Sequence, residues 1–137
     1  MVRKVFFDTN IIIDILECRE GYQDTLTIIE RLRYAGVHLY ISSLTLANAA
    51  YIMRKKSKED VMNRLGQMMR LFDVLPMNDS HITQAIRATS ADFEDMLQIM
   101  AAEDKSCDMI VTRDLKHFRP YTDMQVIEPK EMISVLV

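Results

Sequence analysis

The chain is short of the residues that interrupt regular structure. Its 137 residues include only three glycines and three prolines, and no stretch of low complexity separates one part from another. We therefore find no linker, and the length suits one compact domain, because domains of about 100 to 150 residues are the commonest. The sequence predicts a single domain over residues 1–137.

Cysteine and histidine are also scarce. The two cysteines, Cys18 and Cys107, show no CxxC or Cys/His spacing that would suit a metal. The three histidines, His38, His81 and His117, make no HExxH-type pair, which argues against imidazole-based zinc chemistry. Because the opening residues predict a strand and not a signal peptide, we expect free thiols and a cytoplasmic protein.

Long apolar runs and a strong net charge are both absent. No run approaches the roughly 18 residues that a membrane span requires, so we expect no membrane partner. The formal net charge is −3, which does not indicate nucleic-acid binding by the protein as a whole. Basic residues nevertheless cluster in two places, at Arg54, Lys55, Lys56 and Lys58 and at Arg113, Lys116, His117 and Arg119. Such patches beside an acidic pocket are compatible with a bound phosphate backbone.

Hydrophobic periodicity predicts strands that alternate with helices. Apolar runs predict strands at 5–7, 37–41, 74–75, 109–111 and 124–127, the last at an edge. Helical spacing predicts helices at 11–16, 22–34, 44–53, 58–72, 82–88, 92–105 and 131–136. Because the strands are apolar throughout, they suit a parallel sheet covered on both faces. The predicted fold class is α/β, a three-layer α/β/α domain with a central, mainly parallel sheet of four to five strands.

Acidic residues occur where the carboxyl edge of this sheet is expected. Asp8 ends the first strand and Asp114 follows the fourth. Asp92 and Asp95 are three residues apart, so they share one face of the first turn of a helix that enters from the same edge. Ligands of doubly wound sheets bind outside the carboxyl ends of the strands. We therefore expect these carboxylates to converge on one pocket.

Carboxylates at such short range repel one another unless cations compensate their charge. Hard divalent ions with oxygen ligands, Mg²⁺ or Mn²⁺, are the natural compensation, and they promote attack of water on a phosphodiester. Each of the four acids also has a structural alternative. An aspartate after a strand, such as Asp8, is common in turns, and Asp95 lies where a helix dipole favours an anion. Asp92 is a good N-cap, and Asp114 can cap the turn that follows it.

Polar residues beside the acids carry the same two interpretations. Thr9 and Asn10 can cap the first helix, and Thr112 can simply finish a strand. The functional alternative is that they orient a ligating carboxylate or a water through hydrogen bonds. Asp14 lies more than a helical turn beyond Asp8, and we expect it to be a solvated helix residue.

Three segments together resemble PIN domains. They are VFFDTNIIID at 5–14, DFEDMLQIMAA at 92–102 and DMIVTRDLKHF at 108–118. The first is similar to the opening strand of the family with its terminal aspartate, the second to its central acidic helix, and the third to its TR(N/D)xxxF motif. Order and spacing agree over nearly the whole chain. The length is similar to that of stand-alone PIN proteins such as the VapC toxins of toxin–antitoxin pairs.

The resemblance implies an endoribonuclease that hydrolyses RNA with Mg²⁺ or Mn²⁺. It also implies a homodimer and an antitoxin protein able to block the site. By the same resemblance Asp8, Asp95 and Asp114 are metal ligands, Asp92 is a further acidic ligand, and Thr112 orients the site.

One position departs from the family pattern. Many PIN domains have Glu in the helix after the second strand, where this chain has Asn48. An amide oxygen still ligates a cation or bonds its water, but it carries no charge, which favours one ion over two. Asn48 also motivates an alternative function, a catalytically weak PIN-fold module that binds RNA or a protein partner without cleavage. A phosphatase that begins Asp-x-Asp is disfavoured, because Asn10 replaces the second Asp.

Overall fold

A five-stranded sheet forms the centre of the computed structural model, which describes residues 2–135. The strands are β1 (Lys4–Phe7), β2 (His38–Ser42), β3 (Asp73–Leu75), β4 (Met109–Val111) and β5 (Gln125–Ile127). Their order is β3-β2-β1-β4-β5, and every neighbouring pair is parallel. The predicted α/β class is confirmed, and β5 lies at an edge as expected.

Helices follow the strands along the chain. They are α1 (Thr9–Leu16), α2 (Tyr22–Tyr34), α3 (Ser43–Ile52), α4 (Lys58–Leu71), α5 (Asp79–Arg87), α6 (Phe93–Asp104), α7 (Leu115–Phe118) and α8 (Met132–Val135). Short 3₁₀ turns occupy Arg119–Tyr121 and Pro129–Glu131. The predicted end of the last helix, Leu136, lies outside the described residues. The single domain over residues 1–137 stays a prediction.

Two apolar cores lie on the opposite faces of the sheet. Successive residues of a strand point to opposite faces, so Val5 and Phe7 pack in one core while Phe6 packs in the other. The first core contains residues of α1, α2, α3 and α4, and the second contains residues of α5, α6 and α7. Because both faces are covered, the strands are apolar except at their ends, where β1, β2, β3 and β5 each begin with a polar residue.

Side chains with oxygen acceptors cap five of the helices. The caps are Asp8 for α1, Ser42 for α3, Ser57 for α4, Asn78 for α5 and Asp92 for α6. The capping role predicted for Asp92 is confirmed. A cap of α1 at Thr9 or Asn10 is wrong, because Asp8, the residue between β1 and α1, accepts the Thr9 amide as the cap.

The fold also answers the expectations for the thiols and for membrane spans. Cys18 is exposed, Cys107 is buried, and both are free, as predicted. Burial raises the pKa of the Cys107 thiol to about 11, so this thiol stays protonated at neutral pH. Between residues 2 and 135 no helix combines the length and the apolar character that crossing a membrane requires.

Substitution of Phe118 tests the second core. Phe118 ends α7 and is fully buried, so Phe118→Ala leaves a cavity and should lower the free energy of unfolding by about 3–5 kcal/mol. The matched control is Tyr34→Ala, whose side chain is 97% exposed and whose loss should change the free energy by less than about 0.5 kcal/mol. Urea unfolding measures both. Equal losses would contradict the core position of Phe118.

Candidate active site

An acidic cavity of about 240 Å³ lies at the carboxyl end of β1. β2 and β3 lie on one side of β1 and β4 and β5 on the other, so the strand order switches here, which is where α/β sheets bind ligands. The lining residues are Asp8, Thr9, Asn10, Ile13, Arg19, Ile52, Glu94, Asp95, Gln98 and Asp114. The structure therefore brings together Asp8, Asp95 and Asp114 from three separate segments.

Asp8 is the deepest of these carboxylates. It is 4% exposed, and its oxygens accept hydrogen bonds from the Thr9 amide at 2.8 Å and from the Thr112 hydroxyl at 2.8 Å. The Gln98 side-chain amide lies 3.5 Å away. Burial raises the pKa of Asp8, and the hydrogen bonds from Thr112, Thr9 and Gln98 oppose that rise. The orientation of the carboxylate is thus determined by its donors.

Gln98 is the centre of a buried hydrogen-bond network. Its Nε2 donates to the Thr9 hydroxyl at 2.8 Å and to the Thr45 hydroxyl at 3.0 Å. Its Oε1 accepts from the Ser42 hydroxyl, and the hydroxyl oxygens of Thr9 and Thr45 are 2.8 Å apart. The network joins α6 to β2, α1 and α3. Sequence reasoning missed Gln98, although a polar residue inside the apolar run MLQIMAA is a signal.

Thr112 connects the carboxylate of Asp8 to the backbone of Asp114. Its hydroxyl donates to Asp8 and accepts the Asp114 amide at 3.0 Å, and the side chain is fully buried. Asp114 precedes α7 but its side chain makes no capping hydrogen bond to that helix. The carboxylate of Asp114 is 53% exposed. It therefore stays available to a ligand at the edge of the cavity.

Asp95 sits between the deep and the exposed acids. Its side chain is 17% exposed, and one oxygen lies 3.5 Å from Nδ1 of His117. Burial, followed by repulsion from Asp8, Asp92 and Asp114, raises the pKa of Asp95 to about 7, against a smaller lowering by His117. The site thus carries more negative charge than it compensates.

Two predicted residues lie just outside the cavity lining. Asp92 accepts the Asp95 amide at 3.0 Å as the cap of α6. Asn48 lies on α3, three residues after Thr45 and four before Ile52, so it shares their helix face. Neither residue lines the cavity.

Asp14 lies on α1, as the sequence predicts, and its side chain is 18% exposed and ion-paired. Arg19 lies 3.3 Å and Arg113 lies 3.0 Å from its carboxylate. The turn after α1 brings Arg19 back, and the loop after β4 supplies Arg113. Arg19 also lines the acidic cavity, which puts a cation at its edge.

Sequence reasoning also missed His117 and Glu94. The sequence places His117 in a basic cluster and shows no zinc-binding histidine pair, but it does not predict a place for His117 beside the acids. Its spacing of three from Asp114, the N-cap of α7, puts both residues on one turn. Glu94 lines the cavity beside Asp95. Adjacent residues on a helix point in different directions, so the pattern of acids alone could not tell which of them faces the site.

The residues present suit a divalent cation. Oδ1 of Asn10 is buried without a hydrogen-bond partner, and Asn10 lines the cavity. Buried acceptors are normally satisfied, so an unpaired oxygen beside carboxylates suits an ion or its water. Carboxylate and amide oxygens are the ligands that hard divalent ions prefer.

Comparison with known proteins agrees with this geometry. The family model described as PIN domain matches residues 4–116. The chain belongs to the PIN domain family. The resemblance of the three sequence segments to PIN domains is thereby confirmed.

Known proteins similar to this PIN domain cover nearly its whole length. Ribonuclease VapC1 of Aquifex aeolicus is 25% identical over an aligned length of 134 residues, and the match covers 93% of this chain and 92% of the relative. VapBC2 from Rickettsia felis, solved with a DNA fragment from the promoter, has TM-score 0.66 and 17% identity over 90% of this chain and 96% of that one. FitAB bound to the IR36 DNA fragment has TM-score 0.66 and 19% identity, and the match covers 91% of this chain and 94% of that one. The two structural likenesses show the fold.

Removal of the Gln98 amide tests the buried network of this PIN domain. Gln98→Leu leaves the Ser42, Thr9 and Thr45 hydroxyls without their shared partner, and should lower the free energy of unfolding by about 2–3 kcal/mol. Gln84→Leu is the control, because Gln84 is exposed and should change stability by less than about 0.5 kcal/mol. Chemical unfolding measures both. A neutral Gln98→Leu would show that the network contributes nothing to stability.

The raised pKa of Asp95 predicts a pH-dependent stability of the metal-free PIN domain. The pKa is about 7 in the fold against 3.8 for the ordinary group. Native protein therefore holds a proton that unfolded chain releases, and stability falls as pH rises through this window. In EDTA, Asp95→Asn should leave the free energy of unfolding nearly unchanged at pH 4 and raise it by about 1–3 kcal/mol at pH 8.

Urea midpoints across the pH range measure this effect. Asp123→Asn is the matched control, because Asp123 is exposed and its replacement should leave the pH profile unchanged. An Asp95→Asn profile parallel to that of the unsubstituted protein would contradict the raised pKa.

Proposed function

We propose that this PIN domain is a metal-dependent endoribonuclease that hydrolyses RNA phosphodiester bonds, and that it is the toxin of a toxin–antitoxin pair. The observation that carries the proposal is the acidic cavity, lined by Asp8, Asp95 and Asp114 at the switch in strand order. RNA as the substrate is supported by the relative that is named Ribonuclease VapC1.

In this proposal Asp8, Asp95 and Asp114 hold Mg²⁺ or Mn²⁺. The bound ion supplies positive charge to the transferring phosphoryl group and polarises water. Asp92, the N-cap of α6, contributes through its negative charge. This charge raises the pKa of Asp95 and adds to the attraction of the site for a cation. Arg19, at the edge of the same cavity, is positioned to attract the phosphate backbone.

The remaining predicted residues act as positioning groups. The Thr112 hydroxyl donates to the Asp8 carboxylate and accepts a hydrogen bond from the backbone amide of Asp114. One buried side chain therefore maintains the spacing of the two ligands. Asn48 is proposed as a supporting residue on the face of α3 that carries Thr45 and Ile52. Its amide supplies no charge, which favours a single ion.

We also propose a homodimer, an antitoxin protein that covers the cavity, and a cytoplasmic location. The solved structures named VapBC2 and FitAB support an antitoxin partner. Exposed apolar side chains on α3 and α4 support docking surfaces on these helices, since large exposed apolar groups mark interaction sites. They are Tyr51, Ile52, Met62 and Met69.

Cleavage of structured RNA with Mg²⁺ or Mn²⁺ tests the function. Asp8→Asn should reduce the cleavage rate about 100-fold or more, because removing a ligand costs more than the 10–100-fold typical of supporting residues. EDTA should abolish cleavage of every RNA tested. Gel analysis of a panel of labelled RNAs measures the rates.

Three variants serve as controls for this test. Asp123→Asn should cleave normally, since Asp123 is exposed and outside the cavity. If Asn48 supports the ion, Asn48→Ala should cleave more slowly than the unsubstituted protein. Asn48→Glu, which again offers an oxygen ligand at this position, should not show the loss seen with Asn48→Ala. Cleavage that survives EDTA or Asp8→Asn would reject the proposal. Metal binding without cleavage across the panel would favour the binding module.

A further inference from the structure

An imidazole lies beside two of the carboxylates that line the cavity. Nδ1 of His117 lies 3.5 Å from an oxygen of Asp95 and 3.5 Å from an oxygen of Asp114. One ligand atom from each of these three residues falls within 4.8 Å of the other two. The three residues form a compact donor set of two oxygens and one nitrogen at the mouth of the cavity.

The backbone of His117 is anchored on both sides. Phe118, the next residue, is fully buried in the second core and anchors α7. The His117 amide donates to the Asp114 carbonyl at 3.0 Å, and the Asp114 amide donates to the buried Thr112 hydroxyl at 3.0 Å. His117 therefore starts from a short, anchored turn, although its side chain is 59% exposed.

The separations suit a shared ion. Ligand atoms about 2.0–2.2 Å from a metal lie about 3 Å apart when adjacent and about 4 Å apart when opposite. The distance of 3.5 Å between Nδ1 and each oxygen falls between these limits. The Asp95 and Asp114 oxygens lie within 4.8 Å of each other, so side-chain rotation that shortens this separation brings all three donors to one ion.

We propose that Nδ1 of His117 binds the divalent ion directly, together with Asp95 and Asp114, and makes the site select Mn²⁺ over Mg²⁺. This inference rests on the proposed metal-dependent function and deepens it by naming the class of ion. Mg²⁺ favours an all-oxygen shell and keeps its water, whereas first-row transition ions accept imidazole nitrogen more readily. A nitrogen ligand therefore raises the affinity for Mn²⁺ relative to that for Mg²⁺.

Pulsed EPR of the Mn²⁺-loaded protein, without RNA and at one fixed pH, tests the ligand. The native protein should show the coupling of a directly coordinated ¹⁴N nucleus, and His117→Gln should abolish it. His38→Gln is the matched control, because His38 is exposed at the start of β2, the opposite end of the sheet from the cavity. It should retain the coupling.

Calorimetric titration gives a second readout. The ratio of Mn²⁺ affinity to Mg²⁺ affinity should fall about tenfold in His117→Gln, at the lower end of effects seen when the surroundings of a metal are altered. The ratio should be unchanged in His38→Gln. Circular dichroism and urea unfolding establish that both variants are folded.

Each outcome decides the inference. A native protein without nitrogen coupling, or a His117→Gln variant with an unchanged ratio, overturns it, and failure of Mn²⁺ to bind overturns it together with the proposed function. Nitrogen coupling in a protein that cleaves no RNA supports the inference and rejects the ribonuclease. Cleavage of RNA by a protein without nitrogen coupling supports the ribonuclease and overturns the inference.

Discussion

The side-chain amide of Gln98 joins the two helical layers across the carboxyl end of the sheet. It is 1% exposed, so each of its hydrogen-bonding groups requires a partner inside the protein. Thr9 and Thr45 supply acceptors, and Ser42 supplies a donor. Satisfying one amide therefore determines how α1, α3 and α6 approach one another, and the position of Asp8 beside Thr9 follows from it.

The cavity beside this network holds more negative charge than the protein compensates. Burial and mutual repulsion raise the pKa of both Asp8 and Asp95, which means that the fold disfavours their ionised forms. The unpaired oxygen of Asn10 lies at the same cavity. A divalent ion would relieve the repulsion and satisfy that acceptor, so the structure is better suited to the metal-bound than to the metal-free state.

Local sequence patterns predicted most of the fold. Apolar runs marked all five strands, because strands covered on both faces have no polar side. Helix limits differed by up to three residues, and α1 and α3 began earlier than predicted because a residue at the strand–helix junction is the cap. Asp8 directly follows β1 and caps α1, and Ser42 ends β2 and caps α3. No period of hydrophobicity distinguishes these double roles from ordinary loop positions.

The sequence by itself determined the alternation of strands and helices, the placement of Asp8 and Asp114 after strands, and the three segments that mark the PIN domain family. Only the tertiary structure decided that Gln98 bonds to Thr9, 89 residues away, that Asp14 pairs with Arg113, and that His117 faces Asp95. The physical reason is range. Periodicity and capping depend on neighbours along the chain, whereas these contacts depend on how packed layers bring distant segments together.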